Sequence, residues 1–336
     1  MTLADVARLA GVGLGTASRA LNDAPGVSDA TRRRVLEVAA HHSYVVSPDA
    51  SRLAGGATRR VAVVVPHLSR WFFGAMVESM QGVFFEAGLD VLLYQVKDGE
   101  ARHTFFAELP ALRKVDALVA VGLDIDDLER KRLEIMGVHV VSAGGQHAVY
   151  PHVCIDDLEA GRLAVDHLLA LGHRAIAMIE TDDPDQAVHP HGRSKAFYAA
   201  MTRHRVEVDP RFVIKTSWGA EQGADASGTL LGYTDPPTAI YAHSDEVAFG
   251  AIRTIRRAGL RVPEDISVVG IDDHPLASLV DLTTVRQPVA GQGEAAARMV
   301  VDLLRGEDPP RAVTMPTTLI VRRSTARPRR RRDLSR

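Results

Sequence analysis

From residue 60 onward the sequence alternates between short apolar runs and longer amphipathic segments, and this alternation limits the possible folds most strongly. Runs with the length and composition of buried strands lie at 60–66, 90–96, 116–122, 138–144, 175–180, 212–217, 239–244 and 266–272. A helix is predicted over about 71–87, and further helical segments separate the other runs. Apolar strands that alternate with amphipathic helices predict parallel sheets covered by helices. The chain would have about ten strands, which is more than one sheet usually contains, so we expect two sheets.

Length and cysteine content narrow the class of protein. The chain has 336 residues and a single cysteine, Cys154. This length predicts two or three folding units. A lone cysteine forms no internal disulfide, which is typical of a reducing compartment, and we interpret it as a structural thiol rather than a nucleophile. The sequence opens with no basic and apolar leader and has no apolar run that is long enough to span a bilayer, so we expect a cytoplasmic protein without membrane association.

The net charge of −2 hides an uneven distribution. Residues 1–60 hold 8 Lys and Arg against 5 Asp and Glu, whereas residues 61–320 hold 24 against 36. A basic head on an acidic body indicates that the head is the part that contacts a polyanion. Residues 321–336 hold 8 Arg against a single Asp. We interpret the end of this segment as a disordered charged tail, with phosphate binding as the alternative.

The head predicts three short helices. The first follows a capping box, in which the Thr2 hydroxyl accepts from the Asp5 amide and the Asp5 carboxylate reaches back. A tight turn at Gly11 separates it from a second helix over 14–21, and a third begins at Ser28 as N-cap. The predicted inward positions are Ala17, Ala20 and Leu21 in the second helix, and Val35, Leu36, Val38 and Ala39 in the third. This arrangement is typical of a helix-turn-helix domain; a helical cap on an enzyme is the alternative.

Two segments of the head resemble the N-terminal domain of the lactose-repressor (LacI/GalR) family: TLADVARLAGVGLGTASRALN (2–22) and GVSDATRRRVLEVA (26–39). The resemblance implies that the second helix lies in the major groove of DNA, with residues at its start and an arginine near its end reading bases. On this sequence those readers are Leu14, Gly15 and Arg19. The DNA-contacting set that the resemblance implies for the head is Thr2, Leu14, Gly15, Thr16, Ser18, Arg19 and Asn22.

Two glycines at the start of this helix depart from the family pattern. Gly13 stands where the family usually has a capping Ser or Thr, but glycine is a tolerable N-cap. Gly15 carries no side chain that reaches a base, so either the neighbouring bases go unread or the backbone approaches the DNA closely. Leu14 offers only apolar contact, such as with a thymine methyl group. Arg19 is therefore expected to be the main hydrogen-bonding reader.

The segment SPDASRLAGG (47–56) carries the signals of one short helix, because Ser47 is a good N-cap, Pro48 suits the first turn and two glycines end it. A helix of about seven residues is too short to form alone, so it needs a partner. The segment resembles the family's hinge helix, which folds in the minor groove when two subunits pair, and Leu53 matches the leucine that is wedged between base pairs. One departure is that the family usually places its proline where this chain has Val46. An ordinary linker turn is the alternative.

The body resembles the family's pair of periplasmic-binding-protein-like lobes over 61–325. The phrases that carry this resemblance include LLALGHRAIAMIE (168–180), PPTAIYAHSDEVAFG (236–250) and LTTVRQP (282–288). The expected fold class is α/β, with an N-terminal all-α helix-turn-helix domain and a two-lobed, type I, doubly wound parallel body. We expect four segments: a DNA-binding domain at 1–46, a hinge and linker at 47–59, an effector-binding and dimerisation domain at 60–325, and a basic tail at 326–336.

Parallel α/β lobes bind ligands beyond the carboxyl ends of their strands. An aromatic patch follows the first strand, Trp218 follows the strand at 212–217, and Asp272 ends the strand at 266–272. The resemblance adds that Arg193, Trp218, Ser244 and Asp272 match the family's ligand positions. The predicted effector-binding residues are Phe72, Phe73, Arg193, Trp218, Ser244 and Asp272. A carboxylate, an arginine and aromatic rings together suit a carbohydrate.

No enzyme motif competes with this interpretation. The sequence has no Gly-rich phosphate loop, nucleophile elbow or HExxH motif, and we expect no cofactor. His189 and His191 beside Asp182, Asp183 and Asp185 are interpreted as a solvated loop rather than a metal site. We expect a homodimeric regulator, with a tetramer as an alternative, that represses transcription from double-stranded operator DNA in response to a small-molecule effector. The competing functions are a transport-type sugar-binding protein and an architectural DNA-binding protein.

Overall fold

The computed structural model describes residues 1–22, 24–44, 57–145, 150–181 and 192–329. The predicted hinge helix, with Leu53, and the histidine loop at 182–191 lie outside these ranges. The chain divides into two compact units: Met1–Arg60 with Ala111–Asp116, and Val61–Pro110 with Ala117–Arg336.

The head contains the three predicted helices. They are α1 (Leu3–Leu9), α2 (Leu14–Leu21) and α3 (Asp29–His41). The predicted capping box is present, since Thr2 Oγ1 accepts from the Asp5 amide while the Asp5 carboxylate accepts from the Thr2 amide. Ser28 caps α3 by accepting from the amide of Thr31. Local hydrogen bonds thus begin α1 and α3, as the sequence predicts.

The core of the head is built from small apolar side chains. Its buried members are Val6, Ala7, Ala10, Ala17, Ala20, Val35 and Ala39. Leu21 and Val38 pack partly against this core, but the prediction for Leu36 is wrong, because this side chain is exposed. Leu36 follows Val35 directly, and successive helical residues are turned about 100° apart. Arg32 ties α3 to the end of α2 by donating to the carbonyl groups of Ala20 and Ala24.

The second unit contains two six-stranded sheets, as expected. The first sheet has the order β11-β5-β4-β3-β1-β2 and the second β12-β10-β9-β8-β6-β7. The strands are β1 (Arg60–Val65), β2 (Asp90–Gln95), β3 (Ala117–Val121), β4 (His139–Ala143), β5 (His152–Ile155), β6 (Ile176–Thr181), β7 (Val213–Thr216), β8 (Ala239–Ala242), β9 (Ser267–Asp272), β10 (Thr283–Arg286), β11 (Ala312–Met315) and β12 (Thr318–Ile320). Each strand pair with an assigned register is parallel except β10 with β12.

Helices cover these sheets, and each sheet with its helices forms one lobe. They are α4 (Trp71–Glu86), α5 (Gly99–Glu108), α6 (Asp127–Met136), α7 (Asp157–Leu171), α8 (Gly192–Arg203), α9 (Ala220–Leu231), α10 (Asp245–Arg257) and α11 (Val289–Leu304). Helix α11 follows β10 of the second sheet but packs on α4 and the first sheet. Chain segments therefore cross between the lobes after β5, after β10 and between β11 and β12.

The eight predicted strands are all present, and sequence reasoning missed β5, β10, β11 and β12, which have only three or four residues each. In β10, two of the four residues are threonine. Thr283 and Thr284 are fully buried, but their hydroxyl groups are satisfied by hydrogen bonds: Thr283 Oγ1 lies 3.1 Å from Thr325 Oγ1, and Thr284 donates to Asp245. Polar side chains that are buried and hydrogen-bonded produce no apolar run in the sequence, so hydropathy does not predict β10.

The second lobe also holds residues beyond 325. The Ala326 amide donates to Ser267, and the carbonyl oxygen of Ala326 lies 2.8 Å from Nε2 of the buried His173. Arg329 pairs with Asp265 at 2.9 Å. The described part of the predicted tail, 326–329, is thus attached to the lobe.

Candidate functional site

The exposed surface at the start of α2 carries few side-chain atoms, because two of its three residues are glycine. Leu14 is 54% exposed, and Gly13 and Gly15 are exposed beside it. Apart from its own helix backbone and chain neighbours, a Cβ atom added to either glycine would meet no described atom within 4 Å, and neither residue has a positive φ. Neither the packing of the head nor its backbone geometry therefore requires glycine here. The two glycines leave a flat surface at the end of the helix that the family resemblance assigns to DNA.

The remaining predicted DNA contacts fall into two groups. Arg19 is exposed, and its guanidinium makes no hydrogen bond or ion pair with the residues described. Thr16 and Ser18 are half-buried on the same helix. Thr2 and Asn22 instead serve the helix ends: Thr2 forms the capping box, and Asn22 Nδ2 donates to the Ser18 carbonyl at 3.0 Å. Arg19 is thus the predicted reader with donors available to a base.

Two aromatic rings lie at the carboxyl ends of strands in the first lobe. Phe72 and Phe73 start α4, with ring centroids 5.1 Å apart. Gly122 follows β3 and Gly144 follows β4, and both have a positive φ. A Cβ atom at Gly122 would lie 2.7 Å from the Phe73 ring, and one at Gly144 would lie 2.8 Å from the Phe72 ring. The rings therefore pack on these glycines at the edge of the sheet where a ligand is expected.

Arg193 is fixed in the second lobe. Its Nε donates to Asp157 at 2.8 Å, and its Nη1 donates to the carbonyl oxygen of His243. Burial favours the neutral guanidine, but the charges of Asp157 and Asp272 outweigh it and raise the pKa of Arg193. Arg193 is thus a permanent cation, held rigidly at the start of α8.

Two buried carboxyl groups, those of Asp245 and Asp272, interact with each other, and Asp272 also interacts with Arg193. Burial raises the pKa of Asp245 to about 8 and that of Asp272 to about 6; the charge of Asp272 also raises the first, whereas Arg193 lowers the second. Asp245 Oδ1 accepts from Thr284 at 2.6 Å, and its Oδ2 accepts from the His274 amide at 2.8 Å. Asp272 accepts from Gln287 Nε2 at 2.6 Å. Its φ of +139° is unusual for a residue with a side chain, and strained residues of this kind cluster at functional sites.

Trp218 and Ser244 complete the predicted set. Trp218 is half-buried after β7, and its carbonyl oxygen accepts from Arg70 of the first lobe. Ser244 is buried and caps α10, with its Oγ accepting from the Val247 amide at 3.4 Å. The hydroxyl of Ser244 is thus already engaged in capping. Arg193 and Asp272 interact electrostatically in the second lobe, Ser244 caps a helix of the same lobe, and Phe72 and Phe73 belong to the first lobe.

Sequence reasoning missed several residues of this network. Asp157 orients Arg193, while Gln287 orients Asp272. Glu180 accepts from Ser194 at 2.5 Å, beside His243. Each lies just beyond a strand or at its end, so position relative to strand ends is the signal that finds them; residue type alone does not.

The described residues give little support to a metal site, a membrane-spanning helix or a nucleophilic cysteine. Within them, no group of three or more His, Cys, Asp or Glu is placed to hold a metal ion. No helix there combines the length and apolar character that crossing a bilayer requires. Cys154 is half-buried in β5, and burial raises its pKa, which keeps the thiol protonated. A protonated thiol is a poor nucleophile.

Comparison with known proteins agrees with the geometry. Residues 2–47 match the family described as bacterial regulatory proteins, lacI family, and residues 165–325 match a periplasmic binding protein-like domain. The chain is 32% identical to the transcriptional regulator DegA of Bacillus subtilis, over 97% of this chain and 98% of DegA. A lac repressor dimer bound to operator and an anti-inducer superposes with a TM-score of 0.83 at 28% identity, covering 97% of this chain and 99% of that one. A CelR–cellobiose complex gives 0.71 at 31% identity, covering 96% and 99%.

Proposed function

This chain belongs to the lacI family of bacterial regulatory proteins, and from that premise we propose that it is a repressor whose affinity for operator DNA is controlled by a carbohydrate bound between the two lobes. The observation that carries the proposal is the combination, in one chain, of an exposed helix end with Arg19 and a buried Arg193–Asp272 network in the second lobe. A transport-type sugar-binding protein does not need the first feature, and an architectural DNA-binding protein does not need the second.

Charge supports the assignment of DNA to the head. Residues 1–60 carry an excess of basic residues, and the remainder of the chain up to residue 320 is acidic. An acidic body is repelled by phosphates, so the basic head is the part that approaches the duplex. The bases are read by Arg19 through a bidentate contact and by Leu14 through apolar contact. This target places the action of the protein on bacterial DNA in the cytoplasm.

The chemistry of the cleft supports a carbohydrate effector. Sugar hydroxyl groups act as both donors and acceptors, so they match a carboxylate such as Asp272 and a guanidinium such as Arg193 within one site. The apolar face of a sugar ring stacks on aromatic side chains, which Phe72, Phe73 and Trp218 supply. The CelR neighbour, solved with cellobiose, has such a ligand.

A homodimer is supported by the lac repressor neighbour, which was solved as a dimer. A contact between two copies would cover large apolar side chains that one copy leaves exposed, such as Phe85 (75% exposed) and Leu279 (77% exposed). Two copies would also bring together two hinge segments (47–54) and two heads, as an operator with two half-sites requires.

Retardation of DNA tests the proposal. The full chain is mixed with the DNA upstream of its own gene and, separately, with a random duplex of equal length. Selective binding of the upstream DNA is expected, together with release on addition of one member of a panel of neutral sugars. Equal affinity for both duplexes would exclude a sequence-specific repressor. Selective binding that no sugar alters would exclude the carbohydrate effector and leave the DNA-binding function standing.

A further inference from the structure

Asp116 holds the residues that follow the predicted hinge segment. Its Oδ1 accepts from the Thr58 amide at 2.8 Å, and its Oδ2 accepts from the Arg59 amide at 2.7 Å. The Asp116 amide in turn donates to the Arg60 carbonyl oxygen at 2.8 Å. Both carboxylate oxygens of one side chain thus bind the backbone just before β1.

These hydrogen bonds fix a turn in the chain. Two consecutive amide groups converge on one carboxylate, an arrangement that requires a turn and not an extended strand. Arg59 has a φ of +55°, in the left-handed region that a residue with a side chain adopts only when its surroundings impose it. Thr58 is buried, and its hydroxyl oxygen accepts from the Arg60 amide at 3.2 Å. This turn, formed by Thr58 and Arg59 on Asp116, is the anchor at which the hinge joins the first lobe.

Strand β3 connects this anchor with a predicted effector-binding residue. Asp116 directly precedes β3, whose five residues are all buried and which pairs with β1 and β4. A strand of this length spans about 17 Å. At its far end, Gly122 packs on the ring of Phe73, which belongs to the predicted effector set. Because a close-packed interior transmits displacement, the two ends of this strand move together.

Few residues separate the anchor from the predicted hinge helix. Segment 47–54 is followed by two glycines and Ala57, and Thr58 is already bound to Asp116. We propose that Asp116 is a positioning residue for operator binding, which sets the direction in which the hinge leaves the first lobe. The inference rests on the proposed function, because it requires a hinge that folds on operator DNA. It adds the residue through which a displacement of this lobe reaches the hinge.

A substitution that keeps the size of the side chain tests this role. In Asp116→Asn the new NH₂ group faces one of the two backbone amides, so a contact between two donors replaces one hydrogen bond. Asp98→Asn is the matched control, because Asp98 Oδ1 likewise accepts from a backbone amide of the first lobe, that of Ala101 at the start of α5. Fluorescence anisotropy measures the affinity of each full-length variant for the DNA upstream of its gene and for a random duplex of equal length. Urea unfolding checks that both variants are folded in the assay.

We expect Asp116→Asn to bind the upstream duplex about tenfold more weakly, and Asp98→Asn to bind it as the unsubstituted protein does. Affinity for the random duplex should not change in either variant, because contact with random DNA needs only the charge of the head. Equal affinities of the two variants for the upstream duplex would overturn the proposal, while the proposed function would stand. If the unsubstituted protein does not prefer the upstream duplex, the proposed function fails and this inference fails with it.

A longer connection tests the same inference without changing Asp116. Two glycines inserted between Gly56 and Ala57 leave the anchor intact but separate its direction from that of the hinge. The insertion should weaken binding of the upstream duplex to a similar extent, and Asp116→Asn should cause no further loss in the lengthened chain. If the insertion leaves the affinity unchanged, or if the two losses multiply, Asp116 does not act through the direction of the hinge and the proposal is wrong.

Discussion

Glu246 of the second lobe caps helix α4 of the first. Its Oε1 accepts from the Trp71 amide at 3.3 Å, and its Oε2 accepts from Arg70 Nη1 at 3.2 Å. The N-cap residue of this helix, Arg70, makes no capping hydrogen bond with its own side chain in the described part of the chain. The Trp71 ring also packs on His274, with centroids 4.9 Å apart. The lobes are therefore connected at the start of α4, next to Phe72.

Removing this cap is expected to weaken effector binding. A carboxylate at a helix N-terminus contributes about 1 kcal/mol, and Glu246→Ala removes it together with the ion pair. Fewer contacts would then hold the lobes together at the start of α4, so calorimetric titration should show affinity about fivefold lower. Glu294→Ala is the control, because it removes the ion pair with Arg298 within α11 and not one between lobes. Equal affinities in the two variants would contradict the role of Glu246.

Arg19→Ala is expected to reduce operator affinity. Loss of one bidentate contact with a base costs about 1–3 kcal/mol, which corresponds to about a ten- to hundredfold weaker complex. Affinity for random DNA should change much less, and fluorescence anisotropy with both duplexes measures the difference. Equal losses on the two duplexes would show that Arg19 contacts only phosphates.

Trp218→Ala is expected to abolish the effector response without changing operator affinity. The indole contributes stacking area in the cleft, whereas the head is a separate compact unit. Tyr233→Ala is a suitable control, since this aromatic ring packs on Phe212 with centroids 6.3 Å apart. Release of DNA by sugar with unchanged sensitivity in Trp218→Ala would show that Trp218 is no part of the site.

The raised pKa of Asp245 predicts a stability that falls with increasing pH. Between the ordinary pKa of 3.8 and the raised value of about 8, the folded state keeps a proton that the unfolded state releases. The free energy of unfolding should therefore fall across this window, by about 2 kcal/mol after allowance for relaxation around the charge. Asp272 adds to the fall up to about pH 6.

Asp245→Asn should flatten this dependence. The asparagine oxygen can accept from the His274 amide while its NH₂ group donates to Thr284 Oγ1, so both contacts survive without a charge. Urea unfolding at pH 5 and pH 8 measures the difference. A variant that loses as much stability as the unsubstituted protein over this range would show that Asp245 is ionised throughout.

Segment 47–54 is expected to gain protection from amide exchange only on operator DNA. A helix this short needs contact with DNA and with the same segment of a second subunit. Leu53 contributes by partly unstacking a minor-groove step, so Leu53→Ala should weaken operator binding and leave sugar affinity unchanged. Equal protection with and without DNA would contradict coupled folding and favour rigid reorientation of the heads.

The sequence predicted the elements that depend on local chemistry. The capping box at Thr2, the N-cap at Ser28 and the apolar strands are visible in residue type and spacing, and the structure contains them. Leu36 was misplaced, because the buried face of α3 is formed by Val35, Val38 and Ala39, and Leu36 is turned about 100° away from Val35 on the far side from Val38. Hydropathy does not predict β10, because its buried threonines form hydrogen bonds with Thr325 and Asp245, which are distant in the sequence.

The candidate site was predicted in outline only. The family resemblance supplied Arg193 and Asp272, which the structure places in one electrostatic network. It did not indicate Gln287 or Gln292. Gln287 donates to Asp272 and Gln292 donates to Gln287, and these contacts become visible only in the three-dimensional structure. A glutamine in an amphipathic helix looks like a surface residue until its partners are known.

The open space around Gly15 has a consequence for how this head can change. A Cβ atom at this position would meet no described atom of another element within 4 Å, and replacing glycine inside a helix by most other residues stabilises the helix by a few tenths of a kcal/mol or more. Residue 15 can therefore acquire a base-reading group without repacking and without a compensating mutation. A single substitution at residue 15 would therefore change the surface that the proposed DNA contact uses while leaving the packing of the head unchanged.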